Sequence, residues 1–291
     1  MTTLVFEVSQ VSTNVWSITE NDVRNCRPLS YLIVGEEKAL LIDTGCGYGN
    51  MYLYVRKLPQ IASKKIIVVN THNHPEQTGG NQNFSTTGKW GLSLQVEDLC
   101  ASKKNKYYTR LLESNWHWEV GTYKVTRWLN DGDEIHLGPK ENPINNLKIF
   151  WTPGHTPDSL VVWYGHDARL FLGDLFYRFS DIYFNYKYTD IREYESSVRR
   201  ILLFINSQPN YRDIRYSSAK NDVNNFCLPQ LKHYHRFLLA IFAGTHTGLP
   251  LRIDEAEGWR YETRDKAMRI VLGRRIVQYL SEAREKAQQR E

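Results

Sequence analysis

A chain of 291 residues is long enough to bury a full hydrophobic core without disulfide or metal staples, and 41% hydrophobic against 24% charged residues excludes a disordered polymer. The net charge of +5 is modest. The basic residues near the C-terminus alternate with Glu and Asp, the pattern of a solvated helix face and not of a nucleic-acid-binding stripe. In chain order, Leu4–Val8 and Asn14–Thr19 read as a short antiparallel strand pair, and strands Tyr31–Val34 and Ala39–Ile42 follow around the polar turn 35–38. Tyr48–Leu58 has helical spacing and stops before Pro59. Lys65–Val69 is a β-branched strand that runs into Thr71-His72-Asn73-His74 and then Gly79-Gly80. Strands are expected at Tyr123–Trp128, Glu134–Leu137, Leu147–Trp151, Leu160–Tyr164 and Leu170–Leu172. From Thr189 the pattern turns helical: a helix at Arg192–Asn206, a helical insertion over 207–236, a last strand at Trp259–Thr263 and an amphipathic helix over Arg264–Arg290. No Pro-, Gly- or Ser-rich linker interrupts the chain, so one domain over 1–291 is expected, of α/β class.

Cys26, Cys46, Cys100 and Cys227 are far apart in sequence and form no CxxC pair, which argues against a zinc ribbon or a disulfide scaffold. The N-terminus lacks a charged start followed by an apolar core, and no apolar run reaches membrane-spanning length. A cytoplasmic protein with reduced thiols is the default expectation.

The chemistry concentrates at strand ends. His72 and His74 follow one strand, and an HxH pair on a turn can aim two imidazoles at one point. His155 follows Pro153-Gly154 after another strand, Asp174 follows Gly173 after a third, and His246 follows Gly244-Thr245 after an apolar run. Five metal-capable residues, each in a tight turn, point to a metal centre more strongly than any one of them alone. His233 and His235 form a second HxH within the expected insertion and read as a surface pair. His117, His136 and His166 read as structural. The run Phe176-Tyr177-Arg178, continued by Ile182-Tyr183-Phe184 and Tyr186, directly follows Asp174. It fits core packing, or else a substrate wall for an apolar or acyl group beside the metal, with Arg178 or Lys187 holding an anionic end.

These segments, in this order, resemble the metallo-β-lactamase fold superfamily. Leu41-Ile42-Asp43-Thr44-Gly45 is similar to its early aspartate motif, and residues 71–80 to its HxHxDH motif with paired glycines. Residues 152–159, Phe171-Leu172-Gly173-Asp174 and Gly244-Thr245-His246 are similar to its later motifs. The resemblance, closest to the glyoxalase II and acyl-CoA hydrolase-like branch, implies an αββα four-layer sandwich of two mixed β-sheets flanked by helices. It implies a first metal held by His72, His74 and His155, and a second held by the DH pair, the last histidine and a bridging aspartate. Here the DH pair is replaced by Glu76-Gln77. The second position, left to Glu76, Gln77, His246 and Asp174, is therefore degenerate: one zinc is expected, with two as the upper limit. Glu76 and Asp174 are the expected catalytic carboxylates, and Asp43 and Gln77 the residues that support the ligands.

The function expected from this is metal-dependent hydrolysis of a carbonyl ester, an acyl-CoA-like thioester or a lactone by a metal-activated water. The substrate is expected to be a small molecule, anionic with an acyl group, with no nucleic-acid partner and no membrane span. Two other readings stand beside it. One is a mononuclear iron dioxygenase acting on sulfur, with His72, His155 and Asp174 as ligands. The other is an inactive binding protein that keeps the fold.

Overall fold

Strict alternation of buried side chains fixes which way each strand faces. The structure, a computed structural model, describes residues 5–61, 63–85, 95–111, 120–253 and 256–289. The expectation for His117 lies outside the described residues.

The first sheet begins as an antiparallel meander of β1 (Phe6–Ser12), β2 (Val15–Glu20), β3 (Leu29–Val34) and β4 (Lys38–Ile42). Helix α1 (Met51–Arg56) crosses to β5 (Lys65–Val69), which lies parallel to β4. After α2 (Pro75–Thr78) come β6 (Val96–Ser102), α3 (Lys106–Thr109) and β7 (Arg127–Leu129), the two strands extending the sheet in parallel to seven. The second sheet is a meander of β8 (Glu134–His136), β9 (Asn146–Trp151), β10 (Leu160–Tyr164) and β11 (Arg169–Phe171). The chain then forms β12 (Ile182–Phe184) and α4 (Ile191–Ser207), and returns to the second sheet as β13 (Arg215–Ser217), parallel to β11, and β14 (Asn225–Phe226). Helix α5 (Cys227–Ala243) leads to β15 (Leu249–Ile253), β16 (Ala256–Glu262) and β17 (Arg269–Gly273), which with β12 make a third, four-stranded sheet. Helix α6 (Arg274–Gln288) ends the described chain.

Between the first two sheets, Tyr31, Ile33, Leu40, Ile42, Ile67 and Val69 meet Leu147, Ile149, Leu160, Val162 and Phe171. Their sequence neighbours face outward: Leu41, Ile66 and Val68 pack with Met51, Tyr52 and Val55 from α1. On the other side Phe150, Val161 and Leu170 pack with α4 and α5, and with β12, β17 and α6. Period-two burial on both faces is what a strand between a second sheet and a helix requires. The expected αββα layering is present, with the third sheet as an addition.

One buried cation ties the second sheet together. The Arg169 guanidinium, 1% exposed, donates to Asp167 (2.6 Å), Ser217 (3.0 Å), the Val223 carbonyl (3.2 Å) and Asn224 (2.9 Å). Asp167 also accepts from Ser12 in the first sheet at 2.9 Å.

Two expectations are corrected, and one strand is added. Residues 208–226 are not a helical insertion: they carry β13 and β14, and helix resumes only at Cys227. The short segment Ile214–Ser217 buries only two apolar side chains, Ile214 and Tyr216, and its third buried residue, Ser217, is polar and bonded to Arg169. The C-terminal helix starts at Arg274 and not at Arg264, because Arg269–Gly273 pairs with both β16 and β12. The apolar run Met268–Leu272 fits a helix face or a strand equally well until its partners are known. Strand β6, unread in the sequence, pairs with β5 and β7.

Candidate metal centre

Parallel strands deliver their C-terminal ends to one edge, and the chemistry collects there. β4 hands over to Asp43 and β5 to Thr71-His72-Asn73-His74. His74 immediately precedes α2, whose first residue is Pro75. From the second sheet, β9 hands over to Gly154 and His155, and β11 to Gly173 and Asp174. The two sheets are joined at this edge, where the Leu160 N–H donates to the Thr71 carbonyl at 2.7 Å. Gly154 has φ +126°, and a Cβ there would stand 2.2 Å from the Tyr194 backbone nitrogen of α4. Only glycine lets His155 reach the edge. Gly154→Ala should therefore cost at least about 1–3 kcal/mol, seen as an earlier urea midpoint, and an unchanged midpoint would refute this account.

The four side chains converge. His72 Nε2 and His74 Nδ1 are 3.0 Å apart, His74 Nδ1 and His155 Nε2 3.2 Å, and His155 Nε2 and Asp174 Oδ2 3.5 Å. All four residues are buried. A tetrahedron with zinc–nitrogen bonds of about 2.0–2.1 Å has edges of about 3.3 Å; these three separations lie near that value, and all four donor atoms lie within 4.8 Å of one another. Two further observations favour a cation. Among the described residues Asp174 Oδ1 is buried with no hydrogen-bond partner, an arrangement that favours a cation beside it. Burial pushes the His72 and His74 pKa values well below the usual range, and lowers that of His155, so the rings are neutral and their lone pairs available at neutral pH. Three imidazoles and one carboxylate suit a borderline divalent metal, and the residues present fit one.

A polar network behind the ligands fixes their orientation. The Thr71 hydroxyl donates to Asp43 Oδ2 at 2.8 Å, and the Thr71 N–H donates to Oδ1 at 2.7 Å. With its own proton committed, the hydroxyl accepts from His72 Nδ1–H at 3.1 Å, which leaves Nε2 bare toward the other rings. Burial raises the Asp43 pKa, and the two bonds from Thr71 act against that. Thr71→Val should weaken zinc binding about 10–100-fold in competition with a chelator; wild-type affinity would show that the hydroxyl does not orient the ring. Beneath it, the Gln77 carbonyl accepts from the Thr44 N–H, the Thr44 hydroxyl and Asn70 Nδ2. Asn70 and Asn81 exchange amide bonds of 2.9 and 3.1 Å. Gly79 and Gly80 press on this loop, since added Cβ atoms would lie 2.3 Å from the Cys46 and Thr44 carbonyl oxygens. None of Thr71, Asn70 or Asn81 stands out in the sequence, because amides and hydroxyls after a strand also read as ordinary turn residues.

The remaining expected residues fall in several places. Glu76, in α2, is 3.9 Å from the Lys220 ammonium, and burial raises its pKa while Lys220 opposes the shift. Gln77 enters the network through its backbone, and its buried side-chain oxygen has no partner. His246 is not at the centre: its Nε2–H donates to the Glu262 carbonyl at 2.9 Å, and its ring packs on Phe237 and Tyr261. The reason is that Gly244, φ +74°, caps the end of α5, and Thr245 and His246 fold back onto Ala240. The motif-like Gly-Thr-His belongs to a helix end and not to a strand end.

Phe176 is a core residue packed on Tyr216 and Tyr234, not a substrate wall. Arg178 is committed to Asp222 through bonds of 2.7 and 3.0 Å and is no free anion clamp. Tyr177 keeps contact with the site, its hydroxyl 3.3 Å from Asp174 Oδ2. The rings that face the histidines are Tyr186, 5.4 Å from His74, and Phe184, 5.8 Å from His155. His235 pairs with Glu195 of α4, as a surface residue would. The structure also brings Cys26 and Cys46 together beside Asp22, with donor atoms within 4.8 Å of one another. A shared hydrogen bond lowers the Cys26 pKa and raises that of Cys46. Among the described residues no helix is long and apolar enough to cross a membrane.

Comparison with known proteins agrees with this architecture. Hydroxyacylglutathione hydrolase of Crocosphaera subtropica is 26% identical over 119 residues, covering 41% of this chain and 37% of that protein. The beta-lactamase-like protein 2 homolog of Caenorhabditis elegans is 24% identical over 174 residues, covering 59% and 50%. The chain thus spans half or less of the length of these relatives. A metallo-beta-lactamase from Pontibacter korlensis superposes with a TM-score of 0.60 at 18% identity, over 80% of this chain and 99% of that one, a likeness of fold. The profile of the metallo-beta-lactamase superfamily matches residues 23–210, the stretch that runs from β3 to α4 and carries all four converging side chains, and the chain belongs to that superfamily.

Proposed function

We propose that the protein is a zinc-dependent hydrolase of a carbonyl ester, thioester or lactone. The observation that carries this reading is the convergence of His72 Nε2, His74 Nδ1, His155 Nε2 and Asp174 Oδ2 at tetrahedral spacing. His72, His74 and His155 would hold the metal, with Asp174 as a fourth donor that a water can join or displace. When bound, a divalent metal there acts as a Lewis acid and brings the pKa of water toward neutrality. Glu76, its basicity raised by burial, orients the attacking water and takes its proton. Asp174 Oδ1, unpartnered among the described residues, would face the leaving group. Tyr186 and Phe184 shelter the acyl side from solvent. A thioester is favoured within this class by the resemblance to a protein named hydroxyacylglutathione hydrolase, which covers 41% of the chain. Fold alone does not choose the substrate.

The test is to offer zinc-loaded protein a hydroxyacyl-glutathione, an acyl-coenzyme A, an aryl ester and a lactone, and to follow thiol or acid release. Turnover of at least one, lost in His74→Ala and on chelation, is expected. No turnover together with iron in the purified protein and oxygen consumption would replace this reading with an oxidative one. No bound metal would leave a binding protein.

A further inference from the structure

One buried cation faces the centre without a part in the chemistry above. β13 and β11 run parallel with Phe171 opposite Ser217. Asp174 and Lys220 each lie three residues beyond that pair, so the register that delivers one delivers the other to the same edge. The continuation is bonded too, with the Ala219 N–H on the Gly173 carbonyl at 3.1 Å. The Lys220 carbonyl accepts from the Ser218 hydroxyl and from the Asp222 N–H, both at 2.6 Å, which fixes the tight turn that holds it. Its ammonium lies 3.9 Å from Glu76 Oε1, with both side chains largely covered. Burial disfavours the charge, but Glu76 and then Asp174 act against it and the net shift is upward. Two carboxylates, Glu76 and Asp174, and the unpartnered Asp174 Oδ1 thus surround a place where a second cation would sit.

We propose that Lys220 is a built-in replacement for a second metal ion: its ammonium fills the cation position between Glu76 and Asp174 and restricts the centre to one metal. The argument rests on the metal-centre reading above. A covalently attached charge cannot dissociate, so one half of the electrostatic field that substrate meets is permanent and independent of metal supply. Lys220 acts as a positioning residue: its ammonium, 3.9 Å from Glu76 Oε1, holds that carboxyl group in place.

Metal-free protein titrated with Zn²⁺ alone tests this, with bound zinc counted by elemental analysis after gel filtration. Wild type is expected to hold about one zinc per chain. Lys220→Met should bind the first zinc at least tenfold more tightly, because a repelling charge is gone, and should add a second, weaker zinc. Lys220→His should take up a second zinc as well, by supplying an imidazole at the same strand end. Lys220→Arg, which keeps the charge, should match wild type in stoichiometry and in affinity, and it separates charge from packing. Two zinc ions bound by wild type, or one zinc at unchanged affinity in both Lys220→Met and Lys220→His, would overturn the proposal while leaving the metal centre standing. Zero zinc in every protein would overturn both.

Discussion

His74→Ala should abolish stable metal binding, with zinc content after dialysis falling from about one per chain to near zero. His74 Nδ1 is the middle donor, 3.0 Å from His72 Nε2 and 3.2 Å from His155 Nε2, so its loss separates the other two. Losing a residue that merely orients a ligand costs about 10–100-fold in affinity, and losing a ligand should exceed about 100-fold. The fold should survive, because the sheets are held by the alternating core and not by this ring. Far-ultraviolet circular dichroism would show native secondary structure beside an empty metal analysis. A variant that kept full zinc content would show that the four donors are not the binding site.

The second large effect is on stability. Arg169→Met should destabilise the protein by about 3 kcal/mol, read as a lower midpoint in urea. Breaking a buried ion pair by removing one partner costs about 3–5 kcal/mol, and the lower end applies because Asp167 is partly exposed. Met conserves much of the volume, so the loss is mainly of bonds to Asp167, Ser217, Val223 and Asn224. Ser217 lies on β13, the strand that delivers Lys220, so zinc affinity should change as well. A loss below about 1 kcal/mol would mean that the guanidinium is not needed.

Most of the centre can be read from sequence because strand, tight turn and ligand are contiguous. Lys65–Val69 is apolar on both faces, as a central parallel strand must be, and it hands over directly to His72 and His74. Leu147–Trp151 and Leu170–Leu172, though their neighbours β8 and β10 are antiparallel, lead within a few residues to His155 and Asp174 in the same way. What stayed hidden depends on partners. Strand β6 carries Glu97, paired with Lys38, on its exposed side, and so lacks a continuous apolar run. Strand β12 reads as either core or pocket wall because its rings are large, and Ile182 and Phe184 are buried against β17 and the adjoining core. Lys220 is invisible because a lysine is no usual metal ligand and its strand is three residues long. Cys26 and Cys46 meet only because the loops before β3 and after β4 fold toward each other.

The bond from Leu160 N–H to the Thr71 carbonyl marks where the two sheets touch at the site. His72 and His74 hang from the first sheet, and His155 and Asp174 from the second. An ion gripping all four is therefore a rivet through the sandwich, closing a loop between His74 and His155 much as a cross-link would. An opened sandwich would no longer hold the ion, so a bound ion would favour the closed one. Metal supply then sets how long the folded protein endures as well as whether it is loaded, with heat and chelators attacking the same seam.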